Sequence, residues 1–194
     1  LAQVVGFSMV GIILVFLARQ RVRGGLAGWG LQVGTIRRDL LLAVAAFIAV
    51  WPVVLGLLGG TRLLITLLDP SYLSQDHAAL QTLRAVEVSA WAKGLTMFVA
   101  LVLAPVVEEL FCRGVVQTAL AGWCGDQWAA VLLTGGMFGL LHWAVPDTVP
   151  AMIFFGIALG YVYARTRSLT LAILIHVVFN AKNVAFALLA PGSP

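Results

Sequence analysis

The sequence predicts an all-α fold, a polytopic bundle of about six transmembrane helices that forms a single domain over residues 1–194. Three observations lead to this fold class: 61% of the residues are hydrophobic, only 10% are charged, and the mean hydropathy is +1.02. A soluble domain carries about 25% charged residues. Because so few charges cannot cover a water-exposed surface, we expect most of the chain to lie in a bilayer.

Charged residues mark where the helices leave the bilayer, because a charged side chain is costly at its centre. On this basis the six spans are predicted at residues 1–18, 40–61, 93–122, 127–145, 148–164 and 169–189. A polar stretch, residues 69–93, separates the second and third spans and is long enough to contain an interfacial helix.

The arginines predict the orientation of the bundle. Five arginines lie between the first two spans and two lie between the last two, which places both loops on the same side of the membrane. Cytoplasmic loops carry an excess of Lys and Arg, so this side is predicted to be cytoplasmic and both termini are predicted to face outward. These loops account for the net charge of +4, and we expect no nucleic-acid partner.

The first residue, Leu1, lies inside an apolar run and is not a methionine, so we expect that an N-terminal portion of the protein is missing. We expect the chain to be an integral multi-pass membrane protein.

Three ionisable residues, Glu108, Glu109 and Arg113, lie deep in the predicted third span instead of at its ends. Glu109 and Arg113 are four residues apart and can form a buried ion pair that only braces the structure. Glu108 is rotated by about 100° from Glu109 on a helix and has no such partner. An unpaired carboxylate in a membrane span indicates function.

Polar residues also interrupt the fourth and sixth spans, as Phe138 to His142 and as His176 to Asn180. A single histidine or asparagine in a membrane helix most often hydrogen-bonds a neighbouring helix. Here, however, Glu108 and His142 are both about 21 to 23 Å from the turn that joins their helices, so they should meet at one depth. His176 and Asn180 share one helix face. Together these residues predict one polar cavity.

The three motifs Glu108 to Arg113 (EExxxR), Phe138 to His142 (FxxxH) and His176 to Asn180 (HxxxN) occur in this order. In them the chain resembles the type II CAAX prenyl proteases and bacteriocin-processing enzymes, the CPBP or Abi family of intramembrane proteases. All marked positions match, and the resemblance covers about residues 90–182. Residues 1–89 resemble nothing specific.

The resemblance implies a division of work among these side chains. Glu108 and His142 would bind and deprotonate a water, while His176 and Asn180 would donate hydrogen bonds to the oxyanion. Arg113 would keep Glu109 ionised and oriented, and Phe138 would support the site. Amide hydrolysis needs both an activated water and a stabilised oxyanion, so this division is chemically sound. It requires no covalent intermediate and no cofactor.

Two other readings of the same residues are open. Two histidines and a glutamate can form a catalytic zinc site. We prefer the metal-free protease, because HExxH is absent and an asparagine on the face of His176 suits an oxyanion hole better. The other alternative is a protein that is not an enzyme, a membrane transporter or scaffold with a buried Glu/Arg/His network.

The expected partners are membrane lipids and a peptide or lipopeptide substrate. Prenylated C-termini, peptide pheromones and bacteriocin leaders fit the sequence equally well, and the sequence carries no signal for an oligomeric state.

Overall fold

The long apolar runs form helices, and the computed structural model, which describes residues 2–189, contains no β-strand within that range. Leu1, where we begin the first predicted span, lies outside the described residues. In chain order the helices are α1 (Ala2–Arg21), α2 (Ile36–Leu68), α3 (Ala78–Arg84), α4 (Ala90–Cys124), α5 (Gln127–Leu140), α6 (Val149–Thr166) and α7 (Leu169–Leu189). The predicted all-α membrane bundle is confirmed.

Within the described residues, five helical segments are long and apolar enough to cross a membrane: α1, α2, α4, α6 and α7. The sixth, α5, has only 14 residues. At 1.5 Å per residue it is about 21 Å long, which is shorter than the hydrocarbon core of a bilayer, about 30 Å.

The predicted C-terminal end of the fourth span was wrong, because α5 ends at Leu140 and not at residue 145. The chain then forms consecutive turns, in which the amide of Val145 donates to the carbonyl of His142 over 3.1 Å. Pro146 disfavours helical backbone in the residue before it, and Val145 accordingly lies outside the helical region, with φ −128° and ψ 82°. His142 therefore lies in a turn and not inside a span.

Helix α2 is longer than predicted, with 33 residues from Ile36 to Leu68. A helix of this length measures about 50 Å and extends past the hydrocarbon core. The short helix expected before the third span is present as α3, whose Leu83 packs against Val184 and Ala187 of α7.

Helix α4 is irregular, with π-helical turns at Val99–Leu103 and Leu110–Gln117 on either side of Ala104–Glu109. Pro105 follows the first of them and has no N–H to donate to the carbonyls of the preceding turn. Such π-helical turns occur often at functional sites. Both carboxylates of the first motif lie between them.

The two arginine-rich loops lie at the same end of the bundle, as predicted. The amide of Gln32 donates to Thr170 Oγ1 over 2.8 Å, and the amide of Leu169 donates to the carbonyl of Gly30 over 3.0 Å. A Cβ at Gly30 would lie 2.9 Å from the carbonyl carbon of Arg167, and the residue has a positive φ of 84°, so only glycine fits there. That this end is cytoplasmic stays a prediction.

Helices α5 and α6 pack through glycines at close distance. A Cβ on Gly139 of α5 would lie 2.6 Å from the backbone nitrogen of Ile153 and 2.9 Å from its Cα, and Gly135 meets Ile157 in the same way. Backbone atoms cannot move aside as a flexible side chain does. This contact fixes α5 against α6 and so sets the position of Phe138.

We expect Gly139→Ala to lower the free energy of unfolding by about 1–3 kcal/mol, the usual cost of overpacking. Gly136→Ala is the matched control on the same helix, because a Cβ there would meet nothing within 4 Å. Melting temperatures in detergent measure both variants. Equal melting temperatures would contradict the close α5–α6 contact.

Candidate active site

Glu109 lies at the centre of the buried polar residues and joins two helices. Its side chain is fully buried, and its Oε1 atom accepts a hydrogen bond from Arg113 Nη1 at 3.0 Å. The same oxygen is 2.9 Å from His176 Nδ1 on α7. The predicted contact between Arg113 and Glu109 is therefore present, and Glu109 has a second partner that the sequence analysis missed.

Arg113 extends this arrangement to a third helix. Its Nη2 atom donates to the carbonyl of Gly156 on α6 over 2.8 Å, and its Cζ atom lies 5.2 Å from the centre of the Phe138 ring. One turn further along both helices, Gln117 Nε2 donates to the carbonyl of Gly160 over 2.9 Å. Gly156 and Gly160 have no side chain, so α4 can approach α6 closely enough to reach these carbonyls. The glycines therefore serve both packing and polar contacts.

His176 lies between the two glutamates. The side chain is buried, with Nδ1 held by Glu109 and with Nε2 at 3.8 Å from Glu108 Oε2. The second distance is too long for a direct hydrogen bond. If Nδ1 carries the hydrogen that Glu109 accepts, Nε2 is the atom presented toward Glu108.

Glu108 is the carboxylate of the pair that remains open. Its side chain is 26% exposed, whereas that of Glu109 is fully buried. Glu108 lines a groove of about 350 Å³ between α1 and α4, at the small end of the range for ligand sites. The other residues that line this groove are Gln3, Gly6, Phe7, Val10, Val107 and Phe111. Among these described lining residues, Glu108 alone carries a charge.

His142 lies two residues beyond the end of α5 and is tied to that helix by its own ring. Its Nδ1 atom is 2.9 Å from the carbonyl oxygen of Phe138, and the two rings are 4.9 Å apart. The Phe138 ring is also 5.6 Å from the ring of His176. Phe138 thus contacts both histidines; its supporting role stays a prediction.

Asn180 makes the interhelical contact that is usual for such a residue. Its Nδ2 atom donates to the carbonyl of Ala100 on α4 over 2.8 Å. In a π-helical turn this carbonyl would pair with residue 105, but Pro105 has no N–H. Asn180 supplies the missing donor, and because an amide has two N–H groups, one is left for another acceptor.

The described residues contain no group of three or more His, Cys, Asp or Glu side chains that is arranged to hold a metal ion. The polar residues instead pair with one another and with backbone carbonyls. The sequence predicted one partner of Glu109, which is Arg113. The only sequence signal for a second cationic or hydrogen-bond-donating partner was that Glu108 and Glu109 are adjacent.

Residues 90–182 match the family model of the Rce1-like, type II CAAX prenyl endopeptidases. Neither the curated proteins nor the solved structures gave a match to the chain. The matched segment contains all three motifs, so the resemblance to this family is confirmed for α4 to α7. Helices α1 to α3 lie outside it.

Proposed function

We propose that the chain hydrolyses a peptide bond in a membrane-bound or lipid-modified peptide, because residues 90–182 match the family model of the Rce1-like, type II CAAX prenyl endopeptidases. Glu108 and His142 activate the water, His176 and Asn180 stabilise the oxyanion, and no covalent intermediate forms. One observation carries this proposal: Glu108 is open to an apolar groove and lies 3.8 Å from His176, which Glu109 holds from its other side.

The base in this proposal is Glu108. Glu109 Oε1 already accepts from Arg113 and contacts His176, so its charge is compensated. Glu108 makes no hydrogen bond to either residue and only approaches His176, at 3.8 Å, so its carboxylate is free to accept a proton from water. With Nδ1 of His142 directed at the carbonyl of Phe138, the tautomer that donates there leaves the Nε2 lone pair to accept a hydrogen bond from the same water.

The oxyanion donors are His176 and Asn180. A histidine that donates from Nδ1 carries a second hydrogen on Nε2 only as an imidazolium. In that form the formal charges of Glu108, Glu109, Arg113 and His176 sum to zero, which favours a buried site because isolated charges are costly there. The second N–H of Asn180 completes the pair of donors.

The groove beside Glu108 supports an apolar substrate. Apart from Glu108 and Gln3 its lining is apolar, and a hydrocarbon chain or an apolar peptide segment in it would bring a scissile bond near the carboxylate. A prenylated peptide is the substrate that the family description suggests, and an unmodified membrane peptide is the alternative. We place the protein in the bacterial inner membrane.

The direct test is cleavage of an internally quenched peptide with a farnesylated CAAX terminus by the purified protein in detergent. We expect cleavage at the same rate with and without 1,10-phenanthroline, because the proposed water is activated by side chains. The same peptide without the farnesyl group shows whether the lipid is needed. Loss of activity with the chelator, restored by zinc, would instead support a zinc site. No cleavage of either peptide would favour the scaffold reading.

A further inference from the structure

The turn that carries His142 ends at a buried carboxylate, Asp147. This residue belongs to the turn Pro146–Thr148 directly before α6, and its side chain has no exposed surface. An ionised carboxylate in such a position needs partners. None of the three motifs includes it, and the proposed reaction does not use it.

Both partners of Asp147 come from the N-terminal half of the chain. Arg62 Nε on α2 donates to Asp147 Oδ2 over 2.8 Å, and Ser74 Oγ, from the segment before α3, donates to the same oxygen over 2.6 Å. Both donors lie outside the segment that matches the protease family. We call Arg62, Ser74 and Asp147 the Asp147 anchor.

Hydrogen bonds within the turn connect Thr148, the neighbour of Asp147, to His142. The amide of Val145 donates to the carbonyl of His142 over 3.1 Å. The carbonyl of Val145 in turn accepts from the amide of Thr148 at 3.0 Å and from its hydroxyl at 2.7 Å. The residues between His142 and Asp147 therefore form a run of tight turns, linked by hydrogen bonds from Thr148 through Val145 to His142.

We propose that Asp147 is a positioning residue, which holds the backbone of His142 through its contacts with Arg62 and Ser74. His142 lies past the last residue of α5, which holds it from one side through the carbonyls of Phe138 and Gly139; the Asp147 anchor restrains the chain on its other side. In this way the N-terminal half of the chain contributes to the geometry of the active site. The expected loss of activity rests on the proposed role of His142, whereas the restraint on the backbone of His142 does not.

A second buried carboxylate provides a matched control. Asp39 also has no exposed surface, contacts the neighbouring Arg38 at 3.1 Å and accepts from Ser168 Oγ at 3.1 Å. It joins the two loops at the opposite end of the bundle and has no link to His142. Ser74→Ala and Ser168→Ala therefore each remove one hydroxyl from a buried carboxylate, and only the first belongs to the Asp147 anchor.

The first experiment uses the three histidines of the chain. Protein labelled with ¹³C only at Cε1 of histidine gives three ring signals by NMR in detergent, which substitution of each histidine assigns. We expect Ser74→Ala and Arg62→Gln to shift the signal of His142 and leave that of His176 in place, and Ser168→Ala and Arg38→Gln to move neither. An unmoved His142 signal in folded Ser74→Ala protein, or an equal shift in Ser168→Ala, would overturn the proposal.

The second experiment measures cleavage of the farnesylated peptide. A misplacement of about 1 Å can cost about 100-fold in rate, and we expect Ser74→Ala to lower kcat about tenfold with KM within about twofold. Arg62→Lys should retain more activity than Arg62→Gln, because lysine keeps the positive charge beside the buried carboxylate as well as a donor. Equal losses of kcat in Ser74→Ala and Ser168→Ala would contradict the positioning role. If the wild-type protein cleaves no peptide, the proposed function fails, and the His142 signal still decides on the Asp147 anchor.

Discussion

Glu108→Gln is expected to abolish peptide cleavage, with a loss of at least about 100-fold, and to leave the protein folded in the membrane. Glutamine keeps the shape of the side chain and removes its ability to accept a proton. Glu108 is the one carboxylate of the pair without a contact to Arg113, and it faces the groove. Its replacement therefore removes the proposed base without breaking the ion pair beneath it.

The measurement is the initial rate of cleavage together with the melting temperature in detergent. Glu87→Gln is the control, because it is the same chemical change at an exposed residue in the segment before α4. A rate in Glu108→Gln of about half the wild-type value or more would refute the assignment of Glu108 as the base. The first motif would then be better explained as a structural ion pair between Glu109 and Arg113.

Arg113→Ala is expected to lower the free energy of unfolding by about 3–5 kcal/mol, the cost of removing one partner of a buried pair. Arg113 has no exposed surface, and its guanidinium contacts both the Glu109 carboxylate and the carbonyl of Gly156. Alanine leaves the Glu109 charge with only His176 and leaves the carbonyl without its donor. The loss should therefore appear in stability at least as strongly as in activity.

Two further variants separate charge from packing. Glu109→Gln in the Arg113→Ala background removes the stranded charge and should recover part of the stability, because a neutral amide costs less to bury. Arg165→Ala, at the exposed end of α6, should leave the melting temperature unchanged. A wild-type melting temperature in Arg113→Ala protein that has lost activity would show that Arg113 acts directly in catalysis.

Much of the architecture follows from local sequence. A long apolar run in a bilayer must satisfy its own backbone hydrogen bonds, which a helix does, so α7 was predicted at residues 169–189 with the bounds that the structure has. The contact between Glu109 and Arg113 was also predictable, because four residues on a helix bring two side chains to one face. The order of the three motifs indicated the family of residues 90–182.

The partners across helices depended on the tertiary structure. Glu109 and His176 are 67 residues apart, and their contact depends on the rotation of α4 and α7 about their axes. The π-helical turns of α4 alter this rotation, and no periodicity of 3.6 residues reveals them. The motif sequence likewise did not show that α5 ends at Leu140, or that Arg62 and Ser74 hold Asp147 beyond it. The sequence by itself determined which residues are polar inside the membrane; only the packing of the helices decided which of them meet, because those contacts join residues far apart in the chain.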